Sequence, residues 1–90
     1  MELLTGKNKE QFEKWFKNNI FSDLIDGQPL TIGGFYKLRL YWQIGVYLAY
    51  YDSLGMDEFI TNEFYRRTII IKPIEAYKEA FEKANELINL

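Results

Sequence analysis

The residues best suited to recognition chemistry are Tyr65, Arg66 and Arg67, with Lys72 close behind. Arginine offers a rigid fork of donors that grips phosphate or carboxylate in two bonds at once. Tyrosine and arginine are also enriched among the few side chains that dominate protein–protein binding energy. The acids Asp57, Glu58 and Glu63 lie in the same segment. In an extended strand Arg66 and Arg67 would point to opposite faces, so a single surface would use only one of them. The competing account of this cluster is a solvated strand with no partner.

Catalytic chemistry has fewer candidates. The chain has no His and no Cys. That removes the Ser-His-Asp triad, the HExxH zinc site, thiolate nucleophiles, disulfides and Cys-ligated metals. No glycine-rich phosphate loop is present. Carboxylates remain: Asp23 and Asp26 lie three apart, and Asp57 and Glu58 are adjacent. A magnesium site or glycosidase pair needs such groups to converge on one cleft, and the spacing indicates no convergence. Solvated loop acids and a helix cap at Asp57 are the simpler account. Asp52-Ser53 lacks a His or nearby Lys to activate the serine. Asp52 opposes the dipole at a helix C-terminus, so it is expected to bond to Ser, Tyr or Arg groups. The expectation is a non-enzyme that needs no metal or cofactor.

The elements that position these residues come from periodicity. Ninety residues and 10.8 kDa make one domain, 1–90. Hydrophobic residues reach 48% and aromatics 18%, and each aromatic can bury ~150–250 Å². Residues 7–20 read as a helix with Phe12, Trp15, Phe16 and Ile20 on one face. Thr5 or Asn8 can cap it, and Asn8 with Gln11 resembles a capping box. Residues 21–35 read as a connector. Its turn signals are Asp26-Gly27-Gln28-Pro29 and Gly33-Gly34, the latter able to close a small hairpin of 30–32 with 35–37.

Residues 39–54 form the central helix. Leu40, Ile44, Tyr47, Leu48, Tyr51 and Leu54 make its stripe, widened by Tyr41, Trp42, Val46 and Tyr50. Gly45 weakens it unless something packs close, and Gly55 fits a left-handed C-terminal position. Residues 73–89 form a helix with Pro73 in its first turn and Tyr77, Ala80, Phe81, Ala84, Leu87 and Ile88 inward. Between them, Thr68 to Ile71 is β-branched throughout. A strand over 65–72, paired with 59–61 through Asn62-Glu63, is preferred to a short helix from Asp57 to Arg67. The fold expected is therefore α+β, mainly α: three helices with one short β-strand or hairpin at an edge.

No apolar run approaches the ~20 residues that span a bilayer. The start, Met1-Glu2-Leu3-Leu4-Thr5, has no signal-peptide pattern, so a cytoplasmic location is expected. Net charge −2 and a pI near 5.1 are too weak for broad nucleic-acid affinity or for DNA mimicry.

Leu-Thr-Gly-Lys-Asn-Lys-Glu-Gln-Phe-Glu-Lys-Trp-Phe-Lys at 4–17 resembles the opening of small uncharacterised phage and prophage proteins of Bacteroidetes hosts. The likeness continues at 35–38, at Gln43-Ile44-Gly45-Val46-Tyr47, at Tyr50-Tyr51-Asp52-Ser53-Leu54-Gly55 and at Lys83-Ala84-Asn85-Glu86-Leu87. It covers about half the chain. Arg39-Leu40-Tyr41 replaces a Pro-Pro-Ser of the pattern, and residues 57–71 match poorly. The resemblance implies a bacterial host cytoplasm and a protein partner rather than catalysis. In its sharper form it implies an anti-defence inhibitor of the anti-CRISPR type, one that binds a host RNA-guided nuclease or its guide RNA complex and blocks or misdirects guide or target binding. The alternative is a small accessory nucleic-acid-binding or phage-replication protein. The partner-binding residues expected are Tyr65, Arg66, Arg67, Asp57, Glu58 and Lys72, with the connector 21–34 as a second contact.

Overall fold

The computed structural model describes residues 3–19, 24–25 and 28–90, apart from the side chains of 24–25 and 28–29. Ile20, Asp23, Asp26 and Gly27, and with them much of the expected second contact, lie outside the described residues.

Helix α1 spans Gly6–Asn19 and buries Asn8, Phe12 and Phe16, spaced four apart. A two-residue antiparallel ladder pairs β1 (Leu24–Ile25) with β2 (Gln28–Pro29). Helix α2 spans Ile32–Lys37. The Thr31 hydroxyl accepts the Gly34 N–H at 3.0 Å, and this cap makes a helix where Gly33-Gly34 had allowed a hairpin. Helices α3 (Leu40–Ser53), α4 (Asp57–Thr68) and α5 (Pro73–Ile88) complete the fold.

The α+β expectation is corrected at α4. No strand or hairpin occupies 59–72; the segment that was read as an edge strand is helical through Thr68. Asp57 and Glu58 stand in the first turn and Arg66 and Arg67 in the last, each complementing the dipole. Glu63 and Arg67 pair at i,i+4 in the favourable order. These local terms, with packing of Ile60 and Phe64, outweigh the β preference of Thr68–Ile71, which is a weak and context-dependent tendency. The isoleucines instead form the turn that follows: the N–H groups of Ile70 and Ile71 both donate to the Arg67 carbonyl at 2.9 Å.

The direction of each helix follows from its contacts. Tyr47 and Tyr51 pack on Phe81 with ring centroids 5.4 and 5.7 Å apart. Leu40 shares a cleft with Lys78, while Tyr51 and Asn85 share Asn8 as a partner. Positions on α3 and α5 therefore rise together, and the two helices run parallel. Helix α4 runs back antiparallel to both through short turns, its Phe64 stacked on Tyr77 at 3.9 Å. At the α3–α4 turn Gly55 has φ +74. Its N–H donates to Asp52 and that of Met56 to Tyr51, both at 2.9 Å, which satisfies the last carbonyls of α3 as expected for a left-handed glycine.

On the other side of α3 lies α1, where the Phe12 ring sits 5.3 Å from Tyr47 and 5.2 Å from Tyr50. Tyr47 and Phe81 are buried, and Trp15 is half-buried against the same core, but α1 also meets α5 directly through Asn8 and Asn85, so the central helix does not separate the first from the last. The α3–α4–α5 layer then has two ends. One gathers the start of α3, the end of α4 and the start of α5. The other gathers the end of α3, the start of α4 and the end of α5.

Candidate functional site

At the first of these ends the α4–α5 turn leaves large apolar groups in water. Ile69 is 87% exposed, Ile70 84% and Tyr65 64%. The cause is the stripe that faces α5: Ile60, Glu63, Phe64 and Arg67 point inward, so Tyr65 and Ile69, one helical turn apart, point away from it. Single exposed apolar residues are ordinary, whereas a contiguous group of them marks a candidate contact surface.

Beside this corner sits a cluster of charge. The Glu63 carboxylate, largely buried, accepts from both Arg66 and Arg67. Arg67 also donates to the Glu63 carbonyl at 3.0 Å and to Glu79 of α5 at 3.3 Å. The hydrogen bond from Arg67 is the main reason the Glu63 carboxyl is held below the usual carboxylate range, and the same bond raises Arg67. Arg67 is thereby fixed between α4 and α5. Arg66 keeps a side chain 69% exposed.

The structure divides the six residues expected to bind a partner. Tyr65 and Arg66 lie at the corner, Lys72 closes the turn immediately before α5, and Arg67 stands behind them. On a helix the two arginines are not opposed as a strand would place them; they reach the same carboxylate. Asp57 and Glu58 belong to the first turn of α4, about 12 Å along its axis from Tyr65 at ~1.5 Å per residue. They face the opposite end of the layer and form no joint site with the arginines.

Other exposed groups were not foreseen. Tyr41 and Trp42, assigned by sequence to the core of α3, are each 65% exposed and meet edge-on at 5.6 Å and 90°. The inner face of α3 is Gln43, Tyr47, Tyr50 and Tyr51. Apolar residues surround this helix almost completely, so periodicity could not say which face would stay uncovered. The available signal was Gln43, the polar residue that would be costly to bury without partners. Its amide donates to the carbonyls of Phe35, Tyr36 and Leu38 and its oxygen accepts from Tyr47, so it ties α2 to α3.

At the opposite end Asn8 is fully buried and caps nothing. Its side-chain oxygen accepts from the Tyr50 hydroxyl at 2.8 Å. Its amide donates to the Tyr51 hydroxyl at 3.0 Å and to Asn85 at 2.8 Å. The Asn8 backbone N–H, a first-turn donor of α1, is taken by Asn89 at 2.9 Å, while Thr5 and Asn85 exchange bonds at 3.0 Å. Burial pushes both tyrosine hydroxyls up to about 12, further from ionisation at ordinary pH. Ser53 donates back to the Tyr50 carbonyl, and Asp52 contributes its backbone carbonyl to the Gly55 cap. These groups hold helices together and present no nucleophile with a base.

A cleft of about 450 Å³ has Leu3, Leu4, Leu40 and Tyr47 as its apolar lining, with Lys9 and Lys78 also contributing. The polar atoms of its Gln43 are already engaged. Among the described residues no group of three acids could hold a metal ion, and none of their helices is long and apolar enough to cross a membrane. The chain matches no protein-family model, no curated protein and no solved structure.

Proposed function

We propose that this chain is a non-enzymatic interaction protein of phage or prophage origin, acting by docking the corner at the end of α4 on a host protein. One observation carries the reading: Ile69 and Ile70, both more than four-fifths exposed, adjoin Tyr65 and Arg66 on a domain whose described buried polar side chains all have partners. Two adjacent exposed isoleucines are a cost in solubility that a protein contact offsets. The sharper reading, an anti-defence inhibitor of a host RNA-guided nuclease, draws its support from the likeness of residues 4–17, 43–55 and 83–87 to phage proteins. Thr5, Asn8, Tyr50, Tyr51 and Asn85 of the interior network fall in those blocks, whereas the corner falls in 57–71, where the likeness lapses. A common scaffold carrying a surface particular to one target would have this arrangement. The nucleic-acid alternative draws less support, because phosphates would leave the exposed Ile69 and Ile70 uncovered.

The experiment is reconstituted cleavage by a panel of purified guide-loaded DNA- and RNA-targeting nucleases with increasing amounts of this protein. Stoichiometric inhibition of at least one, lost in the Ile69→Ser/Ile70→Ser double variant, is expected. Absence of binding and inhibition across the panel, with steeply salt-dependent binding to an oligonucleotide, would transfer the reading to the alternative.

A further inference from the structure

The charges of the α3–α4–α5 layer are sorted by end. Arg39, Arg66, Arg67, Lys72 and Lys78 belong to the end that carries the isoleucines, against Glu63, Glu75 and Glu79. The far end holds Asp52, Asp57, Glu58, Glu82 and Glu86 against Lys83. The apolar corner is thus on the positive end of a protein that is negative overall. Tyr41 and Trp42 open α3 at that same end, and Ile74, 40% exposed, begins α5 there. Between Arg66, Arg67, Ile70, Ile71 and Glu79 lies a groove of about 280 Å³, large enough to receive one bulky side chain.

We propose that this end docks an acidic amphipathic helix of another protein, its apolar side chains covering Ile69, Ile70 and Tyr65 and its carboxylates meeting Arg66 and Lys72. The inference rests on the reading of the corner as a protein-docking surface and adds the chemistry of the partner. Charge complementarity selects that chemistry. A second copy docking corner to corner would bring cations against cations, since a two-fold contact places the same patch on both sides. A second copy docking head to tail would match charges but would repeat without closing, which produces filaments. Phosphates of a nucleic acid would satisfy the arginine and lysine and leave the isoleucines uncovered. An acidic amphipathic helix supplies both halves of the match: apolar anchors at i, i+3, i+4 and i+7 for the groove, and carboxylates on the flanks. The buried side of the cluster favours this too. Glu63 holds the two arginines at one place, so less freedom is lost when the exposed Arg66 engages a carboxylate.

The probe is a fluorescein-labelled, helix-stapled 16-residue peptide with Leu and Phe on one face and Glu on the other. A control peptide has every Glu changed to Lys, and a third probe is a 20-nucleotide single-stranded RNA. Fluorescence anisotropy at 50 and 150 mM salt is expected to give binding of the acidic peptide at least 10-fold tighter than of the basic one, weakening with salt. The Ile69→Ser/Ile70→Ser variant should lose at least 10-fold with its melting temperature unchanged. Arg66→Glu/Lys72→Glu should invert the preference between the two peptides. Equal binding of both peptides, binding of neither, tighter binding of the RNA, or filaments in sedimentation velocity would each overturn the proposal. A nuclease inhibited through a surface that these variants do not touch would overturn it while leaving the anti-defence reading standing. Peptide binding with no nuclease inhibited would do the reverse.

Discussion

Where α3 and α5 finish, the interior is polar and closed: Asn8, Tyr50, Tyr51 and Asn85 bond to one another, and Asn89 and Thr5 extend the set to the surface. Where the same helices start, the exterior is apolar and open: Ile69, Ile70, Tyr65, Tyr41 and Trp42 meet water. A small domain ordinarily does the opposite in both places. The inversion teaches that the specificity of this fold and its capacity for partners are carried by separate residues. A buried amide that must find three partners admits one arrangement of helices. An exposed isoleucine constrains nothing in the monomer, and so can vary with the partner.

The contrast can be broken most severely at Asn8. Asn8→Ala removes the partner of two buried hydroxyls and of Asn85, and an unsatisfied buried polar group costs about 1–3 kcal/mol. A loss of about 3 kcal/mol in urea unfolding is expected; a loss under about 1 kcal/mol would mean that the network is not what fixes α1. Next in size is Glu63→Gln. Because the folded carboxyl is held below its usual range, its contribution is fully present above the unfolded value of about 4.3 and is lost as pH falls through the folded value. The variant should therefore be less stable than the parent at pH 7, and the two should converge in thermal melts as pH falls below about 4.

A smaller effect, of opposite sign, is expected at Gly45. It is exposed, and a Cβ there would meet nothing within 4 Å. Gly45→Ala should stabilise by roughly 0.5–1 kcal/mol through helix propensity alone, read from the urea midpoint. Smallest of all, Ile69→Ser with Ile70→Ser should change stability by less than about 0.5 kcal/mol, as expected for surface positions. A large loss there would place the isoleucines among the groups that hold the fold and end the contrast between the two ends.

The helices α1 and α5 were legible because most of their inward positions are apolar and recur at helical spacing, as with Phe12 and Phe16 or Ala80, Phe81 and Ala84; α3 was legible as a helix, but the face it buries, Gln43, Tyr47, Tyr50 and Tyr51, was not. Helix α4 was hidden because two of its inward positions are Glu63 and Arg67, which neutralise each other and break the apolar period. The β-branched Thr68–Ile71 then dominated the local reading, although it lies at and beyond the helix end. Asn8 stands beside Thr5 as a candidate cap because asparagine near a helix start usually is one. That it stands in line with Phe12 and Phe16 was the sign of a buried position, but its partners lie 42 to 81 residues away and no local pattern contains them. Of the candidate site, the segment was legible and its geometry was not. Tyr65, Arg66 and Lys72 stand at the corner, while Asp57 and Glu58 were grouped with them by a nearness in sequence that a helix converts into separation.

The bonds of Asn85 and Asn89 to the first turn of α1 have a consequence in time. An isolated helix of 14 residues is marginal in water, and α1 draws on side chains about 80 positions downstream for its first donors. Contacts that distant form late, since the closure entropy of a long loop must be met before they can contribute. The α4–α5 hairpin needs only a short turn and can form on its own schedule. During synthesis on the ribosome, then, α1 emerges first and settles last: its first turn stays frayed until residue 89 has cleared the exit tunnel. A chain cut before Asn85 should show its defect in hydrogen exchange at residues 6–12, at the far end of the sequence from the cut.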